Sequence, residues 1–200
     1  GQGIWYHIAV AHEYLVVSDL HLADVEDHAD GWKYYKSARY VPDDALAAML
    51  REFHHAGDGE DPPVPRTLVL NGDILDFDLV TCVPEEAPFH VALGERRRCL
   101  RASADRSRWK LRRILRDHRV FLEALADFLA AGHQVVYVIG NHDRELYFTG
   151  VQQHLLRAVQ EAGEDRGHDP TGWEIRFEPW FYYVPGEIYV EHGQQYDHYT

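Results

Sequence analysis

Thr67-Leu68-Val69-Leu70-Asn71-Gly72-Asp73-Ile74-Leu75-Asp76 decides how this chain is read. A short apolar run of this kind suits a strand buried on both faces, as in a parallel sheet. It stops at an amide, a glycine and two acids. The same construction recurs on either side. Tyr14-Leu15-Val16-Val17 stops at Ser18-Asp19-Leu20-His21, and Gln134-Val135-Val136-Tyr137-Val138-Ile139 stops at Gly140-Asn141-His142-Asp143. A fourth run, Tyr189-Val190-Glu191, stops at His192-Gly193.

Between these runs the pattern is helical. Residues 42–55 read as a helix with Pro42 in the first turn, Leu46, Met49, Leu50 and Phe53 on one face, and Gly57 past the end. A long helix is expected over about 105–131, with Leu111, Ile114, Leu115, Phe121, Leu122, Leu125, Phe128 and Leu129 as its apolar stripe. Another is expected over 151–162, closed by Gly163. Residues 173–177, 181–184 and 187–191 read as three consecutive strands, and Pro84 and Pro88 break any helix early in 79–104. Alternating strands and helices argue an α/β fold with a largely parallel sheet. No linker divides the chain, so a single domain over 1–200 is expected, with 80–132 as a helical insert.

Ligands of open α/β sheets bind beyond the carboxyl ends of the strands. The four strand ends would bring Asp19, His21, Asp73, Asp76, Asn141, His142 and His192 to one cleft. Singly, each is an ordinary turn former or a half-buried histidine. Independent turns give no reason for these types to follow successive strands. Carboxylate, imidazole and amide oxygen without thiolate suit Mn²⁺, Fe or Zn²⁺ in an octahedral-like site. Two such ions ~3.5–4 Å apart stabilise the attacking and leaving oxygens of displacement at phosphorus.

Composition narrows the classes further. The net charge of −13 argues against general nucleic-acid binding. No apolar run reaches the ~18 residues of a membrane-spanning helix. Gly1-Gln2-Gly3-Ile4-Trp5 shows no basic-then-apolar leader. Two cysteines, Cys82 and Cys99, make neither a disulfide framework nor a four-thiolate zinc site, which points to a reducing, cytoplasmic setting. There is no Gly-x-Ser-x-Gly turn, P-loop or dinucleotide fingerprint, and His12-Glu13 lacks the second histidine of a zinc protease. Fourteen histidines in 200 residues are in excess, and histidine is the commonest metal ligand.

Asp19-x-His21, Gly72-Asp73-x-x-Asp76, Gly140-Asn141-His142-Asp143 and His192-Gly193 together resemble the calcineurin-like metallophosphoesterase superfamily. The resemblance implies a β-sandwich of two mixed sheets flanked by helices, and two divalent metal ions, Mn²⁺ first, with Fe or Zn²⁺ as alternatives. It implies Asp19 and His21 on one metal, Asp73 bridging, and Asn141 and His192 on the other. His142 would be the general acid, oriented by Asp76. A metal-bridging hydroxide would attack the phosphorus of a phosphate ester or pyrophosphate. Asn141 and Arg144 are placed as substrate-binding residues. The alternative is a non-catalytic binding scaffold on the same fold.

The family's final Gly-His-x-His block is not found. Gly167-His168-Asp169-Pro170 lacks the second histidine and precedes the His192 block, and His198 follows His192 too closely. The expectation is a C-terminally shortened piece in which each metal lacks one ligand. A helical insert and the spacing His192-Gly193-x-x-x-Asp197 are similar to the UDP-diacylglucosamine pyrophosphohydrolase branch. The insert, however, precedes the third block, and Arg144 follows Gly-Asn-His-Asp.

Residues 96–119 hold 11 of the 20 basic residues and two acids. Arg108, Arg112 and Arg116 share a helical face. This segment is read either as a grip on an anionic substrate, partner or lipid headgroup, or as a solvated face.

Overall fold

Parallel pairing sets the frame. In the computed structural model, which describes residues 12–24, 42–55, 59 and 64–196, four strands run side by side in chain order. They are β1 (Glu13–Val17), β2 (Arg66–Asn71), β3 (Gln134–Val138) and β4 (Ile175–Glu178). Val17 pairs with Leu70, Asn71 with Val138, and Val138 with Glu178, so the carboxyl ends of these strands lie along one edge. Two further strands, β5 (Phe181–Val184) and β6 (Ile188–Glu191), form an antiparallel hairpin.

Period-two alternation sends the side chains of β2 and β3 into two different cores. Leu68, Leu70, Val135 and Tyr137 face the helices, with Leu15 and Val17 from β1. Val69, Val136 and Val138 face the hairpin, where Tyr182, Val184, Ile188 and Val190 meet them. Leu68, Val69 and Leu70 are fully buried, worth ~1.5–3 kcal/mol each. The result is a helical layer, a parallel sheet and an antiparallel hairpin, in agreement with two sheets flanked by helices.

The helices are α1 (Asp43–His55), α2 (Leu93–Arg98), α3 (Ala104–Asp117), α4 (Arg119–Ala130) and α5 (Thr149–Asp165). α4 packs between α1 and α5. Two expectations change here. The helix expected over 105–131 breaks at His118, which leaves helical geometry (φ −120°, ψ 49°) and is buried. Its Nδ1 bonds Asp43 Oδ2 at 2.8 Å and its Nε2 donates to the Ala23 carbonyl at 2.8 Å. Asp43 Oδ1 accepts the Phe121 N–H at 3.2 Å, so a carboxylate from α1 caps the start of α4. The apolar stripe continues through the break, which is why periodicity did not reveal it.

The second change concerns Gly163. It does not end α5, which runs on to Asp165. A Cβ at Gly163 would lie 2.5 Å from the Trp173 ring, so the glycine is there for close packing. The helix stops at Gly167 instead, where φ is 83° and the following His168 N–H returns to the Gly163 carbonyl at 2.9 Å. Gly57, Asp197 and His198 lie outside the described residues, as does the 1–5 stretch. Among the described residues no helix is long and apolar enough to cross a membrane.

Candidate metal centre

Beyond their strands, the first three terminal segments stay knitted together. The Asp19 N–H donates to the Gly72 carbonyl (3.2 Å), His21 to Asp73 (2.9 Å), Leu22 to Ile74 (2.9 Å), and Asp76 returns to Leu22 (2.8 Å). The Phe77 N–H reaches the His142 carbonyl at 3.1 Å. This backbone lattice forces unusual conformations. Asp19, His21 and Asp73 have φ of 57°, 48° and 54°. For such residues the left-handed region is uncommon and costs ~1–2 kcal/mol each. Strain of this kind clusters where side chains must be aimed for function.

Asp73 is the hub. It is 4% exposed. Its Oδ1 accepts the His142 backbone N–H at 2.9 Å, and its Oδ2 lies 3.2 Å from His192 Nε2. A Cβ at Gly140 would lie 2.4 Å from Asp73 Oδ1, and one at Gly72 would lie 2.4 Å from the His192 ring. Only glycine lets these two loops close over the carboxylate and the imidazole.

The imidazoles are pinned from behind. His192 Nδ1 donates to the Asn71 carbonyl at 2.9 Å, which leaves Nε2 facing Asp73. His21 Nδ1 bonds Asp76 Oδ2 at 3.0 Å, and its Nε2 stands 3.9 Å from Asp19 Oδ1 and 4.0 Å from Asp73 Oδ2. An N–H engaged on one side and a nitrogen presented on the other is how a metal-binding histidine is oriented. His142 packs edge-on to His21 at 5.0 Å. Its Nδ1 is 3.3 Å from Asp76 Oδ2 and 3.9 Å from Asp78 Oδ2, yet is buried without a hydrogen bond.

The donors fall into two groups that share Asp73. His21, Asp73 and His142 form one, and Asp19, Asp73 and His192 the other, with ligand atoms within 4.8 Å of one another in each. Asp19 therefore stands near His21 but groups with His192. Asp76 sits beneath both His21 and His142. Asn141 is half-buried beside them, and its amide has no partner among the described residues. Arg144 is exposed and reaches Asp78 at 3.1 and 3.3 Å. His168 lies elsewhere, paired with Asp127 on α4 at 2.9 Å.

Electrostatics follow from this crowding. Burial alone would raise the Asp73 carboxyl, but the His192 ring and the His142 backbone N–H hold it below the usual carboxylate range. The Asp73 hydrogen bond lifts His192 to about 9 against the effect of burial. Asp19 and Asp73 thus lie among the imidazoles with Asp76 beneath His21 and His142, while Asp78, 3.9 Å from His142 Nδ1, is paired with Arg144. Carboxylate and imidazole donors converging on one buried carboxylate fit divalent cations.

Three supports carried no assigned role in the sequence. Asp143 is fully buried and joins the loops, accepting from Gly140 N–H (2.6 Å), Ile74 N–H (3.1 Å) and Tyr137 OH (2.7 Å). Burial pushes its carboxyl up to about 6. Its place beside His142 was the available signal. Lys110 belongs to the basic segment but is buried, donating to the Phe77 carbonyl at 3.0 Å and facing buried Glu145 at 3.8 Å. Asp78 had no signal.

The sequence model for calcineurin-like phosphoesterase matches residues 12–200 of the chain. No curated protein and no solved structure matches it.

Proposed function

The chain belongs to the calcineurin-like phosphoesterase family, and from that premise we propose that it hydrolyses a phosphate ester or pyrophosphate with two divalent metal ions. One observation carries this reading: a single buried carboxylate, Asp73, is common to two groups of donors. Asp19, His21, Asp73, Asn141 and His192 would hold the ions, with Mn²⁺ the first candidate and Fe or Zn²⁺ the alternatives. Bound there, such ions supply Lewis acidity and lower the pKa of water.

The remaining work falls to the chain. The oxygen of water would bond to phosphorus and release its proton to solvent, the bond from phosphorus to the ester oxygen would break, and His142 would give that oxygen a proton. The His142 backbone is fixed at both ends, by Asp73 Oδ1 and the Phe77 N–H, and its ring is set against Asp76. A general acid must be held within hydrogen-bond reach of the atom it protonates. The unpartnered Asn141 amide and the Arg144 guanidinium bind phosphoryl oxygens. All of these residues fall within the single domain read over 1–200.

The test is a metal count and an assay. The purified chain is loaded with Mn²⁺, freed of excess and analysed by mass spectrometry, then given p-nitrophenyl phosphate and bis(p-nitrophenyl) phosphate. About two ions per chain and turnover of one of these esters are expected. Both should be lost in Asp73→Asn. A folded chain that takes up no metal, or a variant that keeps its activity, would overturn the assignment.

A further inference from the structure

The basic segment is not one uniform face. Arg108 pairs with Asp105, Arg113 with Asp24, Arg116 with Asp117, and Arg119 with Glu123 and Asp165. Arg96, Arg97, Arg98, Arg101 and Arg112 have no side-chain partner among the described residues, and of these Arg98 and Arg101 line one cleft. These two flank a sharp corner at the end of α2, where Cys99 has φ 86° and ψ 162°. That region is ordinarily left to glycine.

Glu95 holds the corner in place. It is 4% exposed. Its Oε1 accepts the Arg101 N–H at 3.1 Å, its Oε2 the Ala92 N–H at 3.0 Å, and the Arg106 guanidinium closes on it at 2.8 Å. Arg106 is fixed in turn by the His90 carbonyl at 2.8 Å and by the Phe89 ring. A buried ion pair and a strained corner thus fix the backbone that carries two unpaired arginines.

The corner opens on a cleft of about 320 Å³, lined also by Asp78, Lys110, Arg144 and Glu145. Each acid there already has a cation: Glu95 has Arg106, Glu145 has Lys110, and Asp78 has Arg144. Asp78 lies 3.9 Å from His142 Nδ1, so the cleft begins where the metal centre ends. The geometry points to an anion subsite: Arg98 and Arg101 receive a second phosphate of the substrate while its reacting phosphoryl group lies at Asp73 and His142. This rests on the hydrolase reading above. The polar lining suits a phosphate rather than an acyl chain, and arginine matches phosphate geometry with paired donors.

Spacer-graded probes test it. Methylphosphonate carries one anionic group, and alkane-1,n-bisphosphonates carry two at increasing separation. Each is titrated by calorimetry into the Mn²⁺-loaded chain, the Arg98→Ala/Arg101→Ala variant and the Arg96→Ala/Arg97→Ala variant. Arg96 and Arg97 are exposed on α2 and lie outside the cleft, so they control for net charge. In the parent, one spacer length should bind about tenfold more tightly than methylphosphonate. That ratio should fall to near one in Arg98→Ala/Arg101→Ala and persist in Arg96→Ala/Arg97→Ala. Chelation of metal by a bisphosphonate would not depend on these arginines. A ratio that survives the cleft variant, falls equally in the control, or never exceeds one overturns the subsite. A ratio that depends on Arg98 and Arg101 in a chain that holds no Mn²⁺ and turns over no ester would keep the subsite and overturn the hydrolase reading.

Discussion

His118–Asp43 and His192–Asp73 are both short imidazole–carboxylate contacts, at 2.8 and 3.2 Å, and both are largely withdrawn from water. Burial does not separate them, but their surroundings do. At the α3–α4 break, both nitrogens of His118 and both oxygens of Asp43 have protein partners. At the strand ends, Asp73 is shared between two donor groups, His142 Nδ1 lies 3.3 Å from Asp76 Oδ2 without a hydrogen bond, and three donors sit in left-handed backbone. The first pair is complete and acts as a structural joint. The second is partnered within itself too, but Asp73 sits in strained backbone and further donors converge on it, the arrangement expected of a ligand cluster rather than a joint.

The largest effects should separate the two pairs. Removing one partner of a buried ion pair leaves the other buried alone, at about 3–5 kcal/mol. His118→Ala should therefore lower the melting temperature by roughly 10 °C while two Mn²⁺ ions per chain are retained. Asp73→Asn should do the converse: lose both ions and the turnover, with the metal-free chain still folded. Melting curves and metal counts on the same samples decide this. If His118→Ala lost metal without losing stability, the comparison would be broken.

A smaller effect is expected at Asp143, which belongs to neither pair but fixes the loops around Asp73. An amide at this position would set an NH₂ against the Gly140 or Ile74 N–H, donor facing donor. Asp143→Asn should weaken metal retention about 10–100-fold, the usual effect of removing a group that orients ligands. Competition with a graded chelator measures it. Retention equal to the parent's would mean that the glycine contacts alone hold the loops.

Much of this was legible in the sequence, for a physical reason. At the strand ends the donors are local: each side chain lies within six residues of an apolar run, so Asp19, His21, Asp73, Asp76, His142 and His192 could be read together. The parallel sheet follows from the alternation of these runs with helices, whereas the strand order does not. What could not be read depends on distant partners. Asp43 meets His118 from 75 residues away, so the helix break has no local mark. Gly163 looked like a stop because its neighbour Trp173 is invisible to a local pattern. Lys110 counted as surface charge because nothing nearby announced the Phe77 carbonyl or Glu145.

The finest test asks whether the His118 ring is charged inside the fold. An unpaired histidine titrates near ~6.5. Burial pushes His118 down, but the Asp43 carboxylate beside it and the Ala23 carbonyl outweigh burial, so its folded value is raised. The folded chain then binds this proton more tightly than the unfolded chain does. Stability from this source is fully present below ~6.5 and is lost as pH rises through the folded value. Denaturant unfolding of the parent and His118→Asn, from about pH 5.5 to about pH 9, should show a stability difference that narrows with rising pH. A constant difference would mean a neutral ring held by hydrogen bonds alone. The His192–Asp73 pair is present unchanged in both proteins, so the subtraction removes it and leaves the joint at α4.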